Sequence, residues 1–356
     1  MQIILDQFKA TVAKAYAQKT PLRIGGGGTK HFYGNAVPQT HVLLDTRPYH
    51  GIVAYEPTEL VITARAGTQL ADVQALLDRH GQMLAFEPPF FGESATLGGC
   101  IAAGLSGPRR AAAGAVRDFV LGVRLLSGKA EDLSFGGQVM KNVAGYDVSR
   151  LMAGAMGTLG LLLEISLKVL PKPPVELTLR MAMDQASAIE AMNRWAGRPL
   201  PISATCFTDG MLTIRLSGAE SAVKAAHAKL GGEELDDGAA FWQSIREQTH
   251  DFFQSPQPLW RLAVKSVYAP MSLPGNALIE WQGGLRWLSC DDPEAVERIR
   301  KSAKEAGGHA TLFRRNGLAA AAFHPLDDGM MRIHRALKEK FDPAGILNPG
   351  RLYPEF

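Results

Sequence analysis

Pro21-Leu22-Arg23-Ile24-Gly25-Gly26-Gly27-Gly28-Thr29 is a short apolar run that ends in four consecutive glycines and a hydroxyl residue. Leu22 to Ile24 lies between proline and glycine and reads as a strand. Without Cβ atoms, the glycines can bring successive N–H groups close to an anion, as in a phosphate-holding nest. A plain surface turn is the other reading of such a run. A GxGxxG fingerprint needs a third glycine where Lys30 or His31 stands, and a helix directly behind it. Gly34, Asn35 and Pro38 leave no room for that helix, and no Gly-Lys-Ser/Thr is present. The unit therefore reads strand, loop, strand, with Val42-Leu43-Leu44 as the second strand and Asp45 as a cap at its end.

Two more glycine-spaced stretches lie within the first 160 residues. Ser94 to Gly107 contains nothing larger than leucine, which suits close backbone approach either to a large flat ligand or to a tightly packed helix. Gly154-Ala155-Met156-Gly157-Thr158-Leu159-Gly160 is a turn feeding a strand that runs to Val169, and Gly114 and Asp118 add a turn before the strand Phe119 to Leu126. Three such turns point to one extended, phosphate-bearing cofactor. Leu60 to Thr63 reads as a further strand, and Leu5 to Gln18 and Leu70 to His80 read as helices, the second stopping at Gly81.

Pro171, Pro173 and Pro174 form a stiff linker. Beyond it the pattern predicts strands over Val175 to Met183, Ile202 to Phe207, Leu212 to Leu216, Trp260 to Val264, Ala277 to Trp281, Leu285 to Leu288 and Ala310 to Phe313. Helices are predicted over Gln185 to Trp195, Ser221 to Leu230, Phe241 to Phe253, Pro293 to Ala306 and Met330 to Phe341. The fold class is therefore α+β. We expect a first unit over 1–173, a smaller antiparallel α+β unit over 174–325, and a C-terminal helix and tail over 326–356 that returns to the first lobe.

The composition excludes several classes. Lys+Arg of 38 against Asp+Glu of 35 gives a net charge of +3, dispersed along 356 residues, so no nucleic-acid surface is expected. Cys100, Cys206 and Cys290 stand far apart, which excludes an iron–sulfur or zinc framework within this chain. Asp6 and Lys9 interrupt the first apolar stretch, so it is not read as a signal peptide. The charge-free runs at Ser94 to Pro108 and Leu151 to Leu163 are shorter than the roughly 20 residues a membrane span needs.

Gly25 to Thr29, Ala95-Thr96-Leu97-Gly98-Gly99, Arg117 to Gly122 and Gly157-Thr158-Leu159-Gly160 together resemble the FAD-binding PCMH-type domain of the vanillyl-alcohol oxidase and p-cresol methylhydroxylase family. The tail Phe341 to Gly350 is similar to the closing motif of FAD-linked 2-hydroxy-acid oxidases. Gly107 to Arg110 and the block from Val139 to Leu170 resemble the FAD-binding E subunits of glycolate oxidase. The resemblance covers essentially the whole chain. It implies non-covalent FAD, with Gly25, Gly26, Gly27, Gly28 and Thr29 on the pyrophosphate. Thr96, Gly98, Gly99, Ser106 and Gly107 would line the pyrophosphate and flavin side, and Gly114 and Asp118 would shape the adjoining turn. Gly160 and Leu162 would lie by the adenine, and Asn348 and Arg351 near the isoalloxazine.

The same resemblance implies an FAD-dependent oxidoreductase subunit that acts on glycolate, or on D-lactate, to give the 2-oxo acid. Its implied partners are a second FAD-linked subunit and an iron–sulfur subunit, with electrons passing to an acceptor other than a pyridine nucleotide. It would be cytoplasmic, held at the inner membrane face through those partners. A non-catalytic assembly subunit with a vestigial flavin site and an autonomous FAD-dependent alcohol oxidase are the alternatives. No catalytic base is identified. Related catalytic subunits carry a His-x-Gly-Asp-Gly-Asn-x-His stretch, whereas this chain has only isolated His309 and His324, and no metal site is expected.

Among polar candidates, Lys141, Asn142, Tyr146 and Asp147 could stabilise a reduced flavin or form a loop network. Arg109 and Arg110 could hold pyrophosphate or a substrate carboxylate, or be a solvated pair. His31 is read as a plain loop histidine. Trp242, Trp260, Trp281 and Trp287 could mark a partner surface or a core.

Overall fold

The computed structural model describes residues 1–137 and 147–356. Helix α1 (Gln2–Gln18) buries Leu5, Phe8, Val12 and Ala15, one stripe at helical spacing, against Leu22, Leu44, Leu161 and Leu163. Strands β1 (Leu22–Gly25) and β2 (Val42–Asp45) pair in parallel, joined by a loop rather than a crossover helix. Asp45 accepts the Arg47 N–H at 3.0 Å and pairs with its guanidinium, so it is the cap expected at that strand end.

An antiparallel five-stranded sheet forms the centre of the first lobe. It contains β3 (Ile52–Glu56), β4 (Val61–Arg65), β5 (Val120–Leu126), β6 (Asp132–Gly136) and β7 (Leu161–Lys168), in the order β3-β4-β7-β5-β6. Helices α2 (Leu70–Asp78) and α3 (Leu97–Ala103) cover it through Leu70, Val73, Leu77, Leu97 and Ile101. The small-residue stretch 94–107 thus contains a helix. Thr96 Oγ1 caps it by accepting the Gly99 N–H at 3.2 Å, and Gly104 ends it at φ 67°.

The second lobe is built on an eight-stranded antiparallel sheet. Seven of its strands are β8 (Val175–Ala182), β9 (Ile202–Thr208), β10 (Met211–Gly218), β11 (Leu259–Ala263), β12 (Asn276–Glu280), β13 (Leu285–Ser289) and β14 (His309–Arg314). They run in the order β8-β10-β9-β12-β13-β11-β14, and the two-residue strand Glu233–Glu234 lies outside β8. Helices α4 (Gln185–Ala196), α5 (Glu220–Leu230), α6 (Gly238–Arg246) and α7 (Ala295–Glu305) pack on this sheet. The helix expected over Phe241 to Phe253 is shorter. Gln248 adopts φ 54°, and a 3-10 turn at Asp251–Gln254 follows.

All four candidate partner-surface tryptophans are buried: Trp242, Trp260, Trp281 and Trp287 are 3%, 1%, 5% and 6% exposed. Their indoles are core, and two of them lie at the seam between the lobes. There Trp287 and Phe91 pack edge to face on Phe313 and Tyr33 packs on it at a tilt of 44°, with Trp287 and Phe313 centroids 4.9 Å apart.

A buried ion network crosses the same seam. Glu87 accepts the Arg109 N–H at 2.9 Å and its Nε–H at 3.2 Å, and pairs with Arg215 at 2.8 Å. Arg109 also bonds Glu176, which in turn accepts the Ser217 hydroxyl at 2.6 Å. Arg109, read in the sequence either as a partner of pyrophosphate or a substrate carboxylate or as half of a solvated pair, is committed to this latch. Two guanidinium partners hold the Glu87 carboxyl below its ordinary range despite its burial.

Helix α8 (Asp328–Phe341) carries the chain back to the first lobe. The buried Lys338 ammonium donates to the Thr158 and Leu347 carbonyls, both at 2.8 Å, and to Asp342 at 2.7 Å. Leu347 then joins Leu22 as a parallel bridge beside β1.

Candidate functional site

The loop after β1 opens into a cleft of about 190 Å³ lined by Arg23, Gly25 to His31, Thr96, Gly99, Met156, Asn348 and Arg351. Among the described residues, the five successive N–H groups of Gly26 to Lys30 find no acceptor. The buried Arg23 Nε–H beside them is also without a partner. Free amides and an orphaned cation together suit a diphosphate in charge and in hydrogen-bond donors. Gly27 has a second reason to be glycine, because a Cβ there would come 1.5 Å from the Ser94 carbonyl oxygen. Ser94 Oγ donates to the Gly27 carbonyl at 2.7 Å and holds the two loops together.

Lys30 points inward, donating to the Phe90 carbonyl at 3.1 Å, and burial lowers its pKa. Its signal in the sequence was only its place directly after the glycine loop. Burial, then Arg351 and Arg23, lower the His31 pKa as well, so its ring is neutral at pH 7.

A smaller adjoining cavity of about 80 Å³ is lined by Gly26, Gly98, Gly99, Met156, Gly160, Leu162 and Asn348. Gly98 is glycine for helix packing, since its Cβ would meet the Ala66 Cβ at 2.8 Å and carbonyl at 2.9 Å. Asn348 joins the two spaces. Its Oδ1 accepts the Ile24 N–H at 2.8 Å and its Nδ2 donates to the Met156 carbonyl at 2.7 Å. Arg351 donates to the carbonyls of Lys30, His31, Tyr33 and Asn35 and so holds the loop behind the nest; burial first, then Arg315, lowers its pKa to about 10.

Ser106 and Gly107 line neither of these spaces but a third cavity between the lobes, together with Arg261, Glu280, Trp287 and Phe313. Ser106 Oγ accepts the Val116 N–H at 3.0 Å, and the Trp281 indole donates to the Gly107 carbonyl at 3.0 Å. Glu280 accepts the Trp287 Nε1–H at 2.7 Å, and burial pushes its carboxyl up to about 7. No feature of the sequence singled out Tyr33, Arg261 or Glu280, which meet only through the seam.

Gly114 and Asp118 line none of the three cavities. Asp118 accepts the Ala115 N–H at 2.9 Å and closes its own turn. Lys141, Asn142 and Tyr146 lie outside the described residues, whereas Asp147 caps a short helix by accepting the Arg150 N–H at 3.2 Å. His324 Nδ1 accepts the Ala310 N–H at 3.4 Å, and among the described residues no three His, Cys, Asp or Glu gather as a metal site.

Residues 5–150 match the model of an FAD binding domain. The fold is that of p-cresol methylhydroxylase with substrate bound, at a TM-score of 0.66 and 15% identity over 99% of this chain and 88% of that one. An alkyldihydroxyacetonephosphate synthase gives the same TM-score at 16% identity, over 96% and 73%. The molecule is thus an FAD-binding protein with a PCMH-type fold. It is 49% identical over 354 residues to glycolate oxidase subunit GlcE of Escherichia coli, covering 99% of this chain and 97% of that one, and it belongs to the glycolate oxidase subunit GlcE family. A stretch of 174 residues is also similar to glycolate oxidase subunit GlcD of Bacillus subtilis, 27% identical over 49% of this chain and 37% of that one.

Proposed function

We propose that this chain is the FAD-binding subunit of a complex that oxidises glycolate, with D-lactate as the alternative substrate, to the 2-oxo acid. The observation that carries the reading is the run of free amides from Gly26 to Lys30 beside the unpaired Arg23. Likeness to GlcE along 99% of the chain supports the substrate. In this reading Gly25 to Thr29 hold the pyrophosphate, with Arg23 and Lys30 balancing its charge. Thr96, Gly98 and Gly99 form the facing wall, and Gly160 and Leu162 receive the adenine. Ser106 and Gly107 face the flavin side, Gly114 and Asp118 shape the approach, and Asn348 and Arg351 keep the loops in register. When bound, FAD supplies a two-electron acceptor.

The units 1–173, 174–325 and 326–356 serve as cofactor domain, cap and closing tail. A second FAD-linked subunit and an iron–sulfur subunit are the partners, and electrons leave to a non-pyridine acceptor at the cytoplasmic face of the membrane. Among the described residues no helix is long and apolar enough to cross a membrane.

The test is a visible spectrum of the purified chain, acid release of its flavin, and stopped-flow mixing with glycolate and D-lactate, alone and with partner subunits. FAD released by acid, with slow bleaching alone and fast bleaching in the complex, is the expected result. A chain that stays colourless with excess FAD refutes the cofactor reading. Rapid full bleaching of the lone chain refutes its dependence on partners.

A further inference from the structure

The face of the second lobe's sheet that points away from the seam is covered in two places. Helices α4 and α5 pack on it through the cluster that includes Phe207 and Ile279, and α7 packs through the cluster that includes Trp260, Leu262 and Leu288. Arg286 of β13 stands between the two clusters. It is the register partner of Ile279 on β12 and of Leu262 on β11, and partners directly across an antiparallel ladder point to the same face. Its neighbours Leu285 and Trp287 point the other way, into the seam. Over Arg286 lies a cleft of about 320 Å³. Phe207, Leu262 and Leu288 wall it from the sheet, and Met271 and Leu273 from the loop 264–275 that joins β11 to β12.

Arg286 is 4% exposed and donates only to carbonyls: Nε–H to Gly283 at 3.4 Å, Nη1 to Ala269 at 2.7 Å, and Nη2 to Tyr268. Two of the five N–H groups of the guanidinium therefore have no acceptor among the described residues. No carboxylate answers the charge there either, and burial lowers the Arg286 pKa with only Tyr268 acting against it. Arg215 and Arg300, buried in the same lobe, each have a glutamate, Glu87 at 2.8 Å and Glu297 at 3.7 Å. Every other residue that lines the cleft is uncharged. Clasping the loop needs donors but no charge, and a buried cation held by neutral carbonyls alone is costly until an anion meets it.

The walls, by contrast, suit hydrocarbon. An apolar cavity of about 150 Å³ takes a benzene ring, so this cleft suits a body of about a dozen non-hydrogen atoms. An acid as small as glycolate would leave the apolar walls unfilled. We propose that the cleft binds a medium-chain aliphatic monocarboxylate, its head group on the two free N–H groups of Arg286 and its chain along Leu262, Leu288, Met271 and Leu273. The planar guanidinium fork matches a carboxylate in shape as well as in charge.

The test is calorimetric titration of the full chain with octanoate, with octanamide and acetate as controls that lack the charge or the chain. Native protein should bind octanoate, and both controls should bind at least about tenfold more weakly, the lower bound for one charge-assisted hydrogen bond. Arg286→Met should weaken octanoate by at least the same factor. Because Arg286 also holds the loop, a second variant, Leu273→Trp, fills the cleft from a half-buried loop position; it should abolish binding while keeping the native circular dichroism. A native chain that binds no octanoate, a control that binds as tightly as octanoate, or a folded variant of either kind with native affinity overturns the assignment. Should Arg286→Met fail to fold, Leu273→Trp decides.

Discussion

Replacing Glu87 by Gln removes one charge from the latch while keeping its shape. The change leaves Arg109 and Arg215, 7% and 5% exposed, with Glu176 as their only carboxylate among the described residues. Removing one partner from a buried ion pair costs about 3–5 kcal/mol. Glu176 is half-exposed and already bonded to Arg109, so the lower end, about 3 kcal/mol, applies. At roughly 2.1 cal/mol/K per residue of unfolding entropy, 356 residues convert that loss into a fall in Tm of about 4 °C. The pH dependence follows from the same contact. The folded pKa of Glu87 lies below its unfolded value, so its contribution is present above the unfolded pKa of 4.5 and is lost as pH falls through the folded pKa. Differential scanning calorimetry at pH 7 and at pH 4 or below should therefore show the deficit at pH 7 and a smaller one in acid. Replacing Glu87, Arg109 and Arg215 together by apolar residues of similar volume should recover most of the stability. A fall below 1 °C at pH 7, or an equal deficit at both pH values, would refute the idea that this pair of charges clamps the lobes.

Gly27→Val drives its side chain into the Ser94 carbonyl and should abolish FAD retention, read from flavin absorbance; Gly98→Val collides with Ala66 and should lower Tm as well as FAD content. Lys338→Met leaves the Asp342 carboxylate, 1% exposed, without its cation and should cost about 3–5 kcal/mol in urea unfolding, with partial recovery in the double variant that also carries Asp342→Asn. Glu280 has a folded pKa of about 7, above its unfolded 4.5, so its favourable contribution is complete below 4.5 and lost as pH rises through 7. Glu280→Gln should therefore be more stable than the native chain at pH 8.5, by up to about 3 kcal/mol, and not at pH 4.5.

Where the sequence carried a local period, it carried the fold. The strand run Leu285 to Leu288, the stripe Leu5, Phe8, Val12, Ala15 and the strands Ile202 to Phe207 and Leu212 to Leu216 needed no distant information. Helix α3 did, because Leu-Gly-Gly-Cys-Ile-Ala-Ala has no amphipathic pattern and poor propensity; its cap at Thr96 and its fit onto Ala66 make it a helix. Strands β3 and β6 are short and partly exposed, so neither run was marked. The nest was legible because glycine itself is the signal. The seam was not, apart from Arg110, since Tyr33, Arg261 and Glu280 come from distant stretches and are ordinary residues until the lobes close.

The Asn348 side chain, which bonds the Ile24 N–H, is made 324 residues after it. At about 5–20 residues per second, the ribosome needs roughly 15–65 s to cover that interval. During that time the first lobe exists without the strand-like Leu347 beside Leu22 and without Lys338 on the Thr158 turn. The nascent lobe therefore waits with an open edge and an unbraced glycine loop, exposed to chaperones and proteases. Cofactor loading becomes a late event in biosynthesis, so a stalled or truncated chain would be degraded as an apoprotein.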